Sequence, residues 1–416
     1  MQLLEASRFA DAVNLFAPAL RELVTADALR QPWQELLTTQ GPITVVGTPL
    51  TEPADPNVTI AKIPVTCERG AFAVIVAIDQ AGAVVGLRIA PPGAVEPVQP
   101  WQPPPYVDAA RFTEHDVTVG SVPSATPGTL SLPDSPRPAP AVVLLAGSGP
   151  ADRDATMGRN KILKDLAWGL ASHGIAVLRF DKITYTHRDS LADVTDFTAF
   201  DEFVRPAVAA VRLLREHPSI DAARVFVLGH SQGGSLAPRV ADAEPSVAGL
   251  VVLAGATQPL HHAVVRQFRY LATLREPGAD PEADPAVQEI TRQSALIDSP
   301  AFSLSTPKHL LPFGVPASYW MDLQTYDPVA AAARLTIPML IVQGGRDYQV
   351  TVADDLVGWQ TGLGDRPDVT IRIYPADNHL FFSGSGPSTP AEYEPAQHVD
   401  EAVVMDIVRW IARVGP

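Results

Sequence analysis

Short apolar runs alternate with longer amphipathic stretches over most of the chain after residue 140. The amphipathic stretches at residues 162–172, 203–216 and 399–411 predict helices. The apolar runs are continuous in hydrophobicity, as expected of strands in a parallel sheet that is covered by helices on both faces. These runs lie at residues 141–145, 176–180, 225–228, 250–253, 339–342 and 369–374. The pattern predicts an α/β fold with a mostly parallel, doubly wound sheet.

The alternation is interrupted between about residues 257 and 326, where the sequence predicts helices and Pro-rich loops. An insertion of this size directly after a strand is typical of a lid. We therefore expect a helical lid insertion over about residues 257–326.

The first 95 residues have a different pattern. Apolar residues at helical spacing predict helices at residues 9–23 and 28–37. Strand-like runs follow at residues 43–46, 59–65, 71–78 and 83–89. This order predicts a small α+β domain over residues 1–95, with helices first and a curved antiparallel sheet after them.

Proline separates these two parts of the chain. Of the 41 prolines, 13 lie between Pro91 and Pro140, where they can continue neither helices nor central strands. We interpret residues 96–110 as a Pro-rich linker and residues 111–416 as the α/β domain that carries the inserted helices. Residues 112–119 alternate apolar and polar positions and predict a strand that pairs with residues 128–132.

Charge and composition exclude several classes of function. The chain has 31 Lys and Arg against 46 Asp and Glu, a net charge of −15, which opposes binding to nucleic acid or to an anionic membrane surface. No stretch approaches the roughly 18 apolar residues of a membrane span. The single cysteine, Cys67, allows neither an intramolecular disulfide nor a Cys-based zinc site. We expect a cytoplasmic protein, and a chain whose leader had been removed would look the same.

The strongest chemical signal is Gly229-His-Ser-Gln-Gly-Gly234, directly after a predicted strand. A Gly-x-Ser-x-Gly sequence between a strand and a helix is the nucleophile elbow, in which small residues allow a strained turn to expose the serine hydroxyl. Ser231 is therefore the candidate nucleophile. The alternative is a glycine-rich helix N-terminus that closes an ordinary loop.

A serine hydroxyl needs a base to take its proton and a carboxylate to orient that base. In this fold the acid and then the histidine follow the serine along the chain. His379 follows the last predicted strand and is the preferred base, with His398 as the alternative. Asp347 follows the strand before it and is the preferred acid. The other candidates for the acid are Asp354, Asp355 and Asp377.

The tetrahedral oxyanion of such a reaction needs preorganised N–H donors. The backbone N–H of Gln232 is expected to be one, and the loop after the strand at 141–145 is expected to supply the other. That loop reads Gly-Ser-Gly at its start, so Ser148 or Gly149 is the second donor. The candidates for substrate contact are His230, Tyr319 and Trp320, although aromatic residues at helical spacing are more often core.

We expect no metal and no cofactor. The sequence has no His-Glu-x-x-His helix, no Gly-x-x-x-x-Gly-Lys loop and no clustered Cys and His. Asp152 stands at the third glycine position of a dinucleotide-binding loop, so that interpretation fails. The adjacent His261 and His262 are expected not to share an ion, because neighbouring side chains on a helix point about 100° apart.

The residues thus predict a serine hydrolase that acts on a small acyl ester through an acyl-enzyme. A thioesterase, a peptidase, and a biosynthetic acyltransferase or cyclase would use the same residues. From a different class, the chain would be a binding protein on an inactive hydrolase scaffold. The natural substrate, assembly into a homo-oligomer and the use of the N-terminal domain stay open.

Five segments carry a resemblance to known enzymes: Gly147-Ser-Gly-Pro-Ala-Asp-Arg-Asp154, His173-Gly-Ile-Ala-Val-Leu-Arg-Phe-Asp-Lys182, Gly229-His-Ser-Gln-Gly-Gly234, Gln343-Gly-Gly-Arg-Asp347 and Asn378-His379. They resemble bacterial α/β-hydrolase serine esterases that have a small N-terminal domain of the nuclear-transport-factor-2 cone type. The resemblance covers nearly the whole chain and implies carboxylesterase activity on short acyl esters without a cofactor. It also implies a triad of Ser231, Asp347 and His379. The chain departs from that family at Ile183, where the family often has Arg.

Overall fold

Two units, Met1–Gln99 and Pro100–Pro416, make up the chain in the computed structural model. The structure describes residues 1–55, 58–95, 101–191 and 194–414. The predicted linker, residues 96–110, begins with residues 96–100, which lie outside the described residues. Its remaining part packs within the second unit, where the indole N–H of Trp101 donates to Asp165 Oδ1 at 2.8 Å.

Helices precede strands in the first unit. The helices are α1 (Gln2–Glu5), α2 (Phe9–Val13), α3 (Pro18–Leu23) and α4 (Ala26–Gln40). The strands are β1 (Ile43–Val46), β2 (Leu50–Asp55), β3 (Val58–Cys67), β4 (Ala71–Asp79) and β5 (Val84–Ala90). They form an antiparallel sheet in the order β1-β3-β4-β5, with β2 also paired to β3. The predicted small α+β domain is therefore confirmed.

The core of this unit joins its helices to its sheet. Trp33 of α4 meets Phe72 of β4 edge to face, with ring centroids 5.8 Å apart. The helix predicted over residues 9–23 is wrong in one respect, because it breaks between α2 and α3. Pro18 has no N–H to continue a helix and begins α3 at its first turn, after an extended Ala17. Strand β2 was not predicted.

A mixed sheet forms the centre of the second unit. The strands of this unit are β6 (Phe112–Val119), β7 (Thr126–Pro133), β8 (Ala139–Leu145), β9 (Thr156–Met157), β10 (Asn160–Lys161), β11 (Ala176–Phe180), β12 (Ile220–His230), β13 (Leu250–Leu253), β14 (Met339–Gly344) and β15 (Val369–Tyr374). Strands β9 and β10 form a separate two-stranded ribbon, and the other eight form the sheet. The order within the sheet is β15-β14-β13-β12-β8-β11-β7-β6. Strands β8 and β11 to β15 are parallel, whereas β6 and β7 form the predicted antiparallel hairpin at one edge. The predicted α/β-hydrolase fold is confirmed.

Helices cover both faces of this sheet. They are α5 (Ile162–Ser172), α6 (Ile183–Thr186), α7 (Arg188–Leu191), α8 (Arg205–Glu216), α9 (Gln232–Ala243), α10 (Leu260–Arg275), α11 (Pro285–Ile297), α12 (Ala317–Gln324), α13 (Pro328–Arg334), α14 (Val357–Leu363) and α15 (Glu401–Arg413). A π-helical turn, Phe200–Val204, leads into α8, and another, Val352–Leu356, leads into α14. Within the described ranges, no helix is long and apolar enough to cross a membrane.

Alternate residues of β8 enter two different cores. Val143 and Leu145 pack with residues of α8 and α9, whereas Val142 and Leu144 pack with residues of α5 and α15. Since both faces of the strand are buried, every position along it is apolar. This burial explains the continuous hydrophobic runs in the sequence.

The interruption of the alternating pattern corresponds to helices α10, α11 and α12, with short 3₁₀ turns between them. They follow β13 and precede β14, which are neighbours in the sheet. The inserted helices have a core of their own, which includes Ile297, Leu311, Ala317 and Trp320.

Candidate active site

The candidate nucleophile lies in a sharp turn between β12 and α9. Ser231 has φ 57° and ψ −123°, and its N–H donates to the carbonyl of Leu253 at 2.8 Å. A Cβ on Gly229 would lie 2.1 Å from the carbonyl oxygen of Gly233, and one on Gly233 would lie 2.5 Å from that of Ala146. Only glycine fits at these two positions, which is why the strained turn needs the Gly-x-Ser-x-Gly pattern.

Three predicted residues meet at one edge of the sheet. Ser231 follows β12, Asp347 follows β14 and His379 follows β15, so the carboxyl ends of parallel strands place them side by side. His379 Nε2 lies 3.0 Å from Ser231 Oγ, and His379 Nδ1 lies 2.6 Å from Asp347 Oδ2. Asp347 and His379 are buried, whereas Ser231 is partly exposed. The geometry permits a proton to pass from the hydroxyl to the imidazole.

The loop and the carboxylate around this imidazole are held by further hydrogen bonds. Asp347 Oδ1 accepts the backbone N–H groups of Gln349 and Val350 at 2.8 and 2.9 Å. The Asn378 side-chain oxygen accepts the N–H groups of Leu380 and Phe382 at 3.0 and 3.1 Å. The two bonds to the aspartate fix the orientation of its carboxylate, and the asparagine fixes the loop that carries the imidazole.

His398, the alternative base, lies elsewhere. His398 Nδ1 lies 3.2 Å from both carboxylate oxygens of Asp165, at the start of α15.

The alternative acids also have other partners. Asp354 accepts from the Thr351 hydroxyl at 2.7 Å, and Asp355 accepts from Arg266 and from backbone N–H groups. Asp377 accepts from the hydroxyl of Ser383 at 3.0 Å. None of these contacts involves His379.

The Gly147–Gly149 loop lies beside the nucleophile. A Cβ on Gly147 would be 3.1 Å from Ser231 Cβ and 3.6 Å from its Oγ. Gln232, whose N–H was predicted to be the other oxyanion donor, is the first residue of α9. Both predicted sources of N–H donors therefore adjoin Ser231.

His230 contacts the candidate base rather than facing a separate pocket. Its Nε2–H donates to the carbonyl oxygen of His379 at 2.9 Å, and the two ring centroids are 4.7 Å apart. Burial, together with the nearby His379, lowers the pKa of His230 to about 3. The imidazole is neutral at physiological pH and supports the loop of His379. Its contact with substrate stays a prediction.

The two aromatic candidates for substrate contact, Trp320 and Tyr319, have different surroundings. Trp320 is 1% exposed and packs inside the inserted helices, so its expected substrate contact is corrected to a core role. Tyr319 is also buried, but its hydroxyl accepts from Gln232 Nε2 at 2.9 Å and donates to Glu202 Oε2 at 2.6 Å. Tyr319 thus connects α12 to the residue after the nucleophile.

Two charged residues at the site, Lys182 and Glu202, were not predicted. Lys182 Nζ donates to the carbonyl oxygens of Gly147 and Gly149 at 2.8 and 2.7 Å and lies 3.0 Å from Glu202 Oε1. Burial lowers the pKa of Lys182, and the carboxylate of Glu202 opposes that effect. The one available signal was the position of Lys182 directly after β11, since polar groups that follow parallel strands gather at the functional edge of the sheet.

His261 and His262 do converge, contrary to expectation. Their Nε2 atoms lie 2.9 and 2.7 Å from the two carboxylate oxygens of Asp298. The two side chains leave the helix about 100° apart, but both reach Asp298 because each ring contacts a different oxygen of the carboxylate. The potential ligand atoms of these residues lie within 4.8 Å of one another, but direct hydrogen bonds already satisfy them.

Asp377 supplies a pH-dependent test of this loop. Its Oδ2 is buried without a hydrogen-bond partner, and burial raises its pKa to about 6. Between about pH 4 and pH 6, Asp377 thus keeps a proton in the folded protein that it has lost in the unfolded chain, where its pKa is about 3.9. Stability contributed by this group is present below about pH 4 and is lost as pH rises through about 6.

We expect Asp377→Asn to remove this loss of stability. The Tm of the variant minus that of the parent chain should increase between about pH 4 and pH 7 and then level off. Thermal unfolding across that range measures the difference, with Asp365→Asn, at an exposed position, as the matched control. A constant difference for Asp377→Asn over the whole range would contradict the prediction.

Comparison with known proteins finds esterases among the similar chains. The esterase EstD of Thermotoga maritima is 38% identical over 346 residues, which are 83% of this chain and 78% of that protein. Among solved structures, Est1E from Butyrivibrio proteoclasticus has a TM-score of 0.46 and 19% identity, and it covers 72% of this chain and 99% of its own. Acetyl xylan esterase 1 from Thermoanaerobacterium sp. JW/SL YS485 has a TM-score of 0.45 and 16% identity, over 73% of this chain and 85% of its own.

A family model, described as serine aminopeptidase, S33, matches residues 159–383. The matched region contains Ser231, Asp347 and His379. On the strength of this match and of the 38% identity to EstD, the chain belongs to the serine aminopeptidase S33 family of α/β hydrolases.

Proposed function

We propose that this serine hydrolase cleaves small acyl esters through Ser231, His379 and Asp347. The observation that carries the proposal is the hydrogen-bond path of 3.0 and 2.6 Å that joins these side chains. The relative EstD, which is named an esterase, supports esters as the substrate class. No step of this chemistry requires a cofactor.

The path assigns each side chain a role. Ser231 Oγ attacks the ester carbonyl carbon while its proton passes to His379 Nε2. The tetrahedral intermediate collapses, and the departing alcohol takes that proton, which leaves an acyl group on Ser231. Water then gives a proton to His379 and attacks the acyl carbon, and the second tetrahedral intermediate releases the acid as His379 returns that proton to Ser231 Oγ. Asp347 accepts the Nδ1–H of His379 throughout and stabilises the imidazolium.

The oxyanion is stabilised by backbone N–H groups in this proposal. Gln232, at the N-terminus of α9, supplies one, and Ser148 or Gly149 supplies the other. The approach of Gly147 to Ser231 supports this assignment, because it puts the loop next to the carbonyl under attack.

A peptidase is the second candidate, because the matching family is described as a serine aminopeptidase. An aminopeptidase must bind the substrate's ammonium group, for which a carboxylate is the natural partner. Among the described residues, Asp347 and Glu202 are buried carboxylates in hydrogen-bond contact with the site, and both are already engaged: Asp347 with His379, and Glu202 with Lys182 and Tyr319. Their engagement favours an uncharged ester.

Two further assignments, the lid and the type of the first unit, belong to the same proposal. The inserted helices act as a lid, which the contact of Tyr319 with Gln232 supports. The first unit belongs to the nuclear-transport-factor-2 cone type, which its order of helices before an antiparallel sheet supports. The cytoplasmic location and a homo-oligomer stay predictions.

Replacing the nucleophile tests the proposal directly. We expect Ser231→Ala to abolish labelling by a fluorophosphonate probe and to lower turnover by about 10⁴-fold or more. His379→Ala should cost nearly as much, because the members of such a group act as a unit. The control is His398→Ala, which should label like the parent chain. Loss of labelling in His398→Ala with retention in His379→Ala would reverse the assignment of the base.

The acid is tested separately. Asp347→Asn should lower kcat by roughly 10³–10⁴-fold, because an amide holds the imidazole in the wrong tautomer. Asp377→Asn is the matched control in the neighbouring loop and should leave kcat within about twofold. Steady-state kinetics on a p-nitrophenyl ester measures both. An Asp347→Asn variant that keeps most of its activity would rule out this carboxylate.

The substrate class is tested by comparing leaving groups. We expect kcat/KM to be higher for p-nitrophenyl esters than for aminoacyl p-nitroanilides, because a buried, partnered carboxylate offers no site for an ammonium group. Within the esters, each CH₂ that enters an apolar pocket adds up to about 0.8 kcal/mol, so chain length maps the depth of that pocket. Faster hydrolysis of the anilides would assign the enzyme to the peptidases.

A further inference from the structure

The ammonium group of Lys182 is buried and contacts three oxygens inside the protein. It has three N–H donors and contacts three oxygens: the carbonyls of Gly147 and Gly149 and the carboxylate of Glu202. The side chain is 4% exposed, and so is that of Glu202. A buried charge of this kind costs several kcal/mol unless it is paired and hydrogen-bonded. These contacts therefore fix the direction of both loop carbonyls.

The direction of a carbonyl also fixes the direction of the N–H in the same peptide. In a planar trans peptide the C=O and the following N–H point to opposite sides. The bond from Lys182 to the Gly147 oxygen therefore turns the Ser148 N–H away from Lys182. The Gly149 carbonyl belongs to a peptide whose nitrogen is that of Pro150, which has no hydrogen. Of the two candidate donors, Ser148 is the one that Lys182 orients.

The same network reaches the other oxyanion donor through the inserted helices. Glu202 accepts from the Thr184 hydroxyl at 2.6 Å and from the Tyr319 hydroxyl at 2.6 Å. The Tyr319 oxygen in turn accepts from Gln232 Nε2 at 2.9 Å. A continuous hydrogen-bonded path thus runs from the Gly147–Gly149 loop, through α12, to the residue after the nucleophile.

We propose that Lys182, Glu202 and Tyr319 are positioning residues that hold the N–H groups of Ser148 and Gln232 in place for the oxyanion. The inference rests on the proposed function of Ser231. It makes full activity depend on the docking of α12, because Tyr319 completes the path only from that helix. It also predicts that loss of the network harms the transition state more than the bound substrate.

Tyr319→Phe is the mildest test, since it removes one oxygen and keeps the ring. We expect kcat on a p-nitrophenyl ester to fall by roughly 10-fold with KM nearly unchanged, because removal of a whole oxyanion donor costs about 10²–10³-fold and this change only loosens one. The affinity for a trifluoromethyl ketone, which forms a tetrahedral adduct with the serine, should fall by a similar factor. The matched control is Tyr270→Phe, another inserted-segment tyrosine, whose hydroxyl donates to the carbonyl of Ser388.

A second variant removes the charged pair. Lys182→Met together with Glu202→Gln avoids leaving a single buried charge, so the fold should survive better than with either change alone. We expect kcat to fall by about 10²–10³-fold and the trifluoromethyl ketone to bind more weakly in proportion. Thermal unfolding of each full-length variant shows whether the folded fraction accounts for any loss.

The outcomes separate this inference from the proposed function. If Ser231→Ala is inactive while Tyr319→Phe and the double variant keep kcat and ketone affinity within about twofold, the positioning roles are overturned and the esterase proposal stands. A rise in KM without a fall in kcat or in ketone affinity would also overturn them. If Ser231→Ala keeps its turnover, the proposed function fails and this inference fails with it.

Discussion

The close approach of backbone segments around Ser231 is the constraint on which the site depends. A Cβ on Gly233 would meet the Leu145 and Ala146 carbonyl oxygens at 2.8 and 2.5 Å, and one on Gly147 would meet Ser231 itself. These contacts exist because β8 and β12 are adjacent parallel strands, paired from Val225 with Ala141 to Gly229 with Leu145. The register of two strands thus brings Ser231 and the loop proposed to bind the oxyanion together. The positive φ of Ser231 costs on the order of 1–3 kcal/mol, which the surrounding packing must overcome.

Ionic contacts, rather than apolar packing, hold the region beside that loop. Arg153 Nε lies 2.9 Å from Asp181 Oδ1, and Arg179 Nε lies 2.8 Å from Asp154 Oδ1. Glycine-rich backbone has little side-chain packing with which to fix its conformation, and every charge placed there needs a partner. Pairing satisfies both needs, since one charged side chain can bond several carbonyls at once. The bonds from Lys182 to Gly147 and Gly149 follow the same rule.

Much of this arrangement could be predicted from the sequence. Strand runs were recognisable because both faces of the sheet are buried, and Ser231, Asp347 and His379 stood out because each follows a strand. What escaped prediction depends on contacts between distant residues. The pairing of Lys182 with Glu202 and Tyr319 follows no local pattern, and the last two are 117 residues apart in sequence.

Helical spacing was equally uninformative about Trp320. The same periodicity would suit an aromatic residue that faces a pocket and one that fills a core, and only the packing of Ile297 and Leu311 around the ring decides for the core. The contact of His230 with the other loop was also beyond the sequence. Its partner, the carbonyl of His379, comes from a loop 149 residues away.

The two expected oxyanion donors are supported in different ways. Gln232 begins α9, so the geometry of the helix itself directs its N–H. Ser148 lies between two glycines in a loop without such a helix, and its direction depends on a side chain from the end of β11. Glu202 pairs with Lys182 in its buried position, and Glu202 also bonds Tyr319 of the inserted helices. The proposed Gln232 donor is therefore set first by α9 and supported by the contact of its side chain with Tyr319, whereas the proposed Ser148 donor depends on Lys182 and, through Glu202, on the segment that is inserted between β13 and β14.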